Sequence, residues 1–245
     1  MEQSQLGIRF KPSQVTHIAG VEQVRLQGWL QRGNIYLDAI AGRPGRYEHL
    51  AYSFLDALRI ALIGRLLSHG MDSAKEASGL VERLIGGTYG SADRAKALRR
   101  GDFSVIEHAE LDSLGAFWTL TGDTRMYVWR TDEGKWDFAW GCLPGGYTAS
   151  DGTQIQHGEI FGMSGAHPSE RPDTYVFIHV GNIIVDMVAR VAGLGFIPKD
   201  FPAVTAEDLA KNPLYEGYTT EQLTRTANSH TINNAIHFIL TKENL

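Results

Sequence analysis

Residues 14–33 read QVTHIAGVEQVRLQGWLQRG, and the spacing of the apolar residues in this stretch decides how the N-terminal part of the chain is built. Val15, Ile18 and Ala19 recur at i, i+3 and i+4, the period of one buried helix face. Pro12 suits the first turn of that helix, where its missing N–H would have no intrahelical partner anyway. Gly20 ends it. Leu26, Trp29 and Leu30 repeat the same spacing, and Gly33 falls where a left-handed C-terminal cap belongs. Two short helices joined by a tight turn containing Gly form the helix-turn-helix pattern, in which the second helix turns polar side chains outward toward a major groove. The polar residues available for that face are Glu22, Gln23, Arg25, Gln27, Gln31 and Arg32.

The residues that follow extend the pattern. Ile35 to Tyr52 carries apolar and aromatic residues on both sides of Gly42-Arg43-Pro44-Gly45-Arg46, which reads as a hairpin tip with two guanidiniums projecting from it. Such a wing suits contact with phosphates or a minor groove. Ser53-Phe-Leu-Asp56 is a capping-box-like start, and it opens an amphipathic helix through Leu55, Leu58, Ile60, Leu62, Ile63, Leu66 and Leu67 that ends at Gly70. Asp72 is expected to cap a further helix through Val81 and Leu84.

In the order of these elements, QVTHIAGV, RLQGWLQRGNI, the tip GRPGR and YSFLDALRIALIGRLLSHGMDSAKEASGLVERL, the chain resembles the N-terminal DNA-binding domain of the MerR family of transcription regulators. The resemblance covers roughly the first third of the sequence. It implies a winged helix-turn-helix whose second helix reads bases, whose wing grips the backbone, and whose later helix pairs two subunits. Carried over by position, it implies DNA contact at Arg25 and Gln27 on the second helix and at Arg43 or Arg46 in the wing.

Composition bounds the rest. A chain of 245 residues that is 43% hydrophobic and 21% charged can bury a sizeable core. The single cysteine, Cys142, excludes an internal disulfide framework and a multi-thiolate metal site, which fits a reducing cytoplasm. MEQSQLGIRF has no apolar core behind a basic start, and the most apolar stretch, IIVDMVARVAGLGFI, is broken by Asp186 and Arg190, so neither a signal peptide nor a membrane span is expected. Residues 1–85 carry ten Lys/Arg against eight Asp/Glu, whereas residues 86–245 carry thirteen against twenty. The first part is therefore the better match for a polyanion. LIGGTYGS (84–91) reads as the linker. It divides the chain into a DNA-binding domain, 1–86, expected to fold alone, and a sensing or oligomerisation domain, 87–245.

In the second part, SADRAKALRRG reads as a short helix. FWTLTGDTRMYVWRTDEGKWDFAWG alternates aromatic and polar residues around Asp132-Glu133-Gly134, the pattern of an antiparallel hairpin. Tyr127 and Trp129 share one strand face, and Trp136, Phe138 and Trp140 share a face of the partner strand; such rows line either a core or a small-molecule or partner surface. PDTYVFIHV reads as a buried strand leading into NIIVDMVARVAG as an amphipathic helix, and Thr219 to Leu240 as a long final helix.

Chemistry-bearing patterns are sparse. Cys142 in WGCLPGG with His157 downstream has no third group to orient a thiol–imidazole pair, so a structural cysteine is the expectation. His157, Glu159 and His167 are not fixed to one helix face as a dedicated metal motif would be. No phosphate-binding glycine loop is present, because GGTYGSADRAK lacks the Gly-Lys-Ser/Thr ending and AGLGF lacks the third glycine of a dinucleotide fingerprint.

The sequence thus predicts an α+β chain: an N-terminal winged helix-turn-helix followed by a C-terminal α+β domain with an antiparallel hairpin and a long final helix. No enzymatic activity, cofactor or metal is expected. The expected partner is double-stranded DNA, contacted through Gln23, Arg25, Gln27, Gln31, Arg32, Arg43 and Arg46. A homodimer is expected, since two copies of a short recognition helix double the site, with its seam on the final helix around Ile232, Ile236 and Ile239 or on the helix from Asp72 to Leu84. The C-terminal domain would sense a small-molecule or protein effector, or mediate assembly. The rival reading from another class is a DNA-architectural or recombination accessory protein of the excisionase kind, which can share the winged module and would require a sharply bent DNA target.

Overall fold

Pro12 opens the first helix, α1 (Pro12–Ala19), and the Gln14 side chain reaches back to accept from the Lys11 amide at 2.8 Å, satisfying one of the donors that a helix start leaves unpaired. The computed structural model describes residues 7–35, 37, 51–85, 125–141, 147–149, 154–155 and 176–242. After α1 come α2 (Gln23–Gln31), α3 (Phe54–Ser68) and α4 (Ala74–Ile85). Among the described residues, five short strands follow: β1 (Arg125–Arg130), β2 (Trp136–Gly141), β3 (Tyr147–Ala149), β4 (Gln154–Ile155) and β5 (Val176–His179). The chain then runs through α5 (Val180–Gly193), the short α6 (Ala206–Ala210) and the long α7 (Thr220–Thr241).

The helix limits have local causes. The Ser53 and Asp56 side chains exchange bonds with each other's amides at 3.0 Å, the reciprocal capping box that the sequence indicates for α3. Gly70, at φ +99°, lets the chain leave α3 in a backbone region closed to most residues. The cap of α4 is a correction. Ser73, not Asp72, receives the first-turn amide, that of Glu76, at 3.4 Å. Asp72 instead pairs with Arg130 on β1 at 3.0 Å, since its neighbour already occupies the capping position. Thr219 and Gln222 form a second capping box at the start of α7, and His179 Nδ1 accepts the Asn182 amide at 3.2 Å to begin α5.

The sheet is antiparallel throughout, in the order β4-β3-β2-β1-β5. The β1–β2 hairpin lies where the sequence places it. Its register pairs Arg130 with Trp136, and Gly134 takes φ +75° in the turn. Alternation separates the two aromatic rows. Met126, Val128, Phe138 and Ile178 enter the core against α4 and α5, whereas Tyr127 lies on the other face beside Phe177, with ring centroids 5.4 Å apart. Of the row bearing Phe138, Phe138 is core and Trp136 packs against it.

The core crosses residue 86. Phe10 meets Phe196 edge-on at 5.2 Å, and the Ile8 amide donates to the Ile239 carbonyl at 2.7 Å. Gly7 passes so close to the Leu240 carbonyl that a Cβ there would overlap it. Val15, Ile18, Leu58, Ile184, Val191, Ile236 and Ile239 therefore belong to one continuous cluster. Ile236 and Ile239, named above as seam candidates, and Leu80 and Val81 of α4 are buried within their own chain. A buried charge cluster ties α3 to α4: Arg59, 1% exposed, holds Glu82 at 2.8 Å through Nε and approaches Asp56 at 3.6 Å through Nη1. Leu84 and Ile85, the first two residues of the linker expected at 84–91, instead end α4; the rest of that linker, 86–91, the predicted helix at SADRAKALRRG, Cys142, His157, Glu159 and His167 lie outside the described residues.

Candidate nucleic-acid interface

Both helices of the opening stretch end in the same way. At the end of α1, the Gly20 amide donates to the His17 carbonyl at 3.3 Å and the Val21 amide to Thr16 at 3.1 Å, with Gly20 at φ +69°. At the end of α2, the Gly33 amide donates to Leu30 at 3.0 Å and the Asn34 amide to Trp29 at 2.9 Å, with Gly33 at φ +62°. These are paired 5→2 and 6→1 bonds of the Schellman type, which satisfy helix-terminal carbonyls and require a residue free to go left-handed. The turn between the helices is therefore short and defined, running Gly20-Val21-Glu22.

Three contacts mount this pair on the rest of the molecule. Val15, Ile18 and Ala19 of α1 and Leu26, Trp29 and Leu30 of α2 are all buried, the two rows read from the sequence. Val21, in the turn, lies so close to α3 that a Cβ on Gly64 would stand 2.8 Å from Val21 Cγ2. From α5, Arg190 Nη1 donates to the carbonyls of Ile18 at 3.0 Å and His17 at 3.4 Å. A cation at a helix C-terminus opposes the partial negative charge that collects there.

With its apolar row pinned, α2 turns the rest of its surface to solvent. Gln23, Arg25, Gln27, Gln31 and Arg32 are all exposed, as is Glu22. Arg43 and Arg46 lie outside the described residues. Ile35 and Leu37, which lead toward the expected wing, are buried. Where the chain returns, Tyr52 and Phe10 exchange backbone hydrogen bonds at 2.9 Å in an isolated antiparallel bridge.

One exposed residue of α2 is apolar: Val24, 79% exposed. Its position was legible from helical periodicity, whereas the role of Arg190, 172 residues from Ile18, was not. Among the described residues, no cluster of three His, Cys, Asp or Glu side chains could hold a metal ion, and no helix is long and apolar enough to cross a membrane. No family model matches the chain, and comparison with curated proteins finds no significant relative.

Proposed function

We propose that this chain is a sequence-specific DNA-binding regulator, with α1 and α2 as a helix-turn-helix and α2 as its reading helix. The observation that carries this reading is the division of α2: Leu26, Trp29 and Leu30 anchor one side, while Gln23, Arg25, Gln27, Gln31 and Arg32 all face solvent. Gln can bond an adenine edge bidentately and Arg a guanine edge or a phosphate, so the outward side holds both kinds of reader. Arg43 and Arg46 complete the proposed surface as a wing on the backbone. Two copies joined by a two-fold axis would read two half-sites, and the residues beyond 86 would carry the effector response or the assembly contact.

The test is selection of bound duplexes from a randomised pool by the full-length protein, followed by light scattering on the protein alone and with the selected duplex. Enrichment of a short two-fold motif, bound by a dimer, is the expected result. A pool that shows no sequence enrichment after repeated rounds overturns the reading. Enrichment of a site that is then bent sharply on binding supports the architectural rival instead.

A further inference from the structure

Val24 presents a large apolar surface to water where a polar residue would cost nothing. On a helix of 3.6 residues per turn it projects about 170° away from the mean direction of Leu26, Trp29 and Leu30, at the centre of the outward side. One turn further on, the same side carries Gly28, over which the Arg32 guanidinium lies, 3.2 Å from where a Cβ would be. Gln27 and Gln31 border this Val-Gly strip on one flank, and Arg25 and Arg32 on the other. Val24 is thus an apolar knob framed by groups that bond base edges and phosphates.

We infer that Val24 is a specificity residue that reads the 5-methyl group of a thymine in the major groove, and the inference rests on the DNA-binding reading above. The thymine methyl is the only apolar group that a base pair exposes in that groove. Val24 is the second residue of α2, and it is the N-terminal residues of a recognition helix that approach base edges. Gln27, on the adjoining turn, is placed to pair with an adenine, so the strip and its flank together favour an A·T step.

Replacing thymine by deoxyuridine removes the methyl and keeps every hydrogen-bonding group, so it tests the contact directly. In the selected duplex, each thymine of the half-site is replaced in turn by deoxyuridine, and binding of full-length wild type and Val24→Ala is measured by fluorescence anisotropy. The expected result is one position per half-site at which the replacement weakens wild type roughly three- to tenfold, the scale of one buried methyl contact, and leaves Val24→Ala unchanged. Val24→Ala changes an exposed side chain, and its thermal melt should coincide with that of wild type. If wild type binds the selected duplex tightly yet is indifferent to deoxyuridine at every position, the Val24 inference is overturned while the DNA-binding reading survives. Equal sensitivity of wild type and Val24→Ala overturns it as well. If wild type selects no duplex at all, the underlying reading falls, and this inference with it.

Discussion

The guanidinium of Arg190, on α5, donates to the carbonyl oxygen of Ile18, at the end of α1, over 3.0 Å. The same nitrogen would lie 2.6 Å from a Cβ built on Gly20. One side chain from the C-terminal part of the chain thus occupies the space that the missing side chain at the turn leaves open. The orientation of the α1–α2 pair depends on both.

From this follows a coupled pair of substitutions. Arg190→Ala should cost about 1–2 kcal/mol, because it removes a charged donor from partly buried carbonyls. Gly20→Ala should cost about 1–2 kcal/mol from the left-handed backbone alone, and it displaces the same guanidinium. In urea denaturation the double variant should lose less than the two losses added together, by about 0.5–1 kcal/mol. Strict additivity would show that the two residues act separately.

Gly64 and Val21 make a second such pair. In an exposed helix, Gly→Ala gains about 1 kcal/mol; at Gly64 the new methyl meets Val21 Cγ2 at 2.8 Å, so the variant should instead be destabilised. In a Val21→Ala background, where Cγ2 is gone, Gly64→Ala should be neutral or stabilising. Chemical denaturation of the four proteins reads the reversal of sign, and the same sign in both backgrounds would refute the close packing of turn on α3.

Removing one member of the buried charge cluster should be among the most damaging single changes. Arg59→Ala takes away the cation beside the fully buried Asp56 carboxylate, which also accepts from the Ser53 amide, and removing one partner of a buried charge pair typically costs about 3–5 kcal/mol. Glu82→Gln should cost only about 1 kcal/mol, since its side chain is 20% exposed and Arg59 keeps Asp56 beside it. Thermal melts should therefore rank wild type above Glu82→Gln and both well above Arg59→Ala. Equal melting of the two variants would mean that the cluster carries little energy.

Residues 1–86 expressed alone should melt at a lower temperature and with less cooperativity than the full chain. The fragment lacks Phe196 against Phe10, Ile239 against Ile8 and Arg190 at the end of α1, and exposed core surface costs about 25 cal/mol per Å². Circular dichroism melts of fragment and full chain settle it; equal midpoints would establish residues 1–86 as autonomous despite the shared core.

On the DNA-binding reading, helix and wing substitutions should differ in kind. Arg25→Ala should lose about 1–3 kcal/mol on the preferred duplex and less on scrambled DNA. The double change Arg43→Ala, Arg46→Ala should weaken all sequences alike and reduce the salt dependence by about one unit of slope per lost phosphate contact. Titrations at several salt concentrations separate the two patterns, and wild-type behaviour from both variants would remove this surface from the interface.

The amino-acid sequence by itself determined the local geometry of this protein, because the forces that set it act over a few residues. The 3.6-residue spacing of Val15, Ile18 and Ala19 and of Leu26, Trp29 and Leu30 requires two helices with one buried side each. The chirality of the backbone makes Gly20 and Gly33 the points where they stop. The hairpin about Gly134 and the capping boxes at Ser53 and Thr219 follow in the same way. Even the outward position of Val24 is implied by the rows opposite it. The cap of α4 shows the limit of such reasoning, since Asp72 and Ser73 are both competent and only the presence of Arg130 nearby explains where Asp72 goes. Tertiary structure alone decided that α5 and α7 close the core of the first 86 residues, that α3 needs Gly64 to admit Val21, and that Arg190 caps α1 from 172 residues away. Contacts at that separation leave no periodicity in the chain; they depend on which apolar faces meet once the helices have formed, and burial of surface, being non-directional, does not specify the partner in advance.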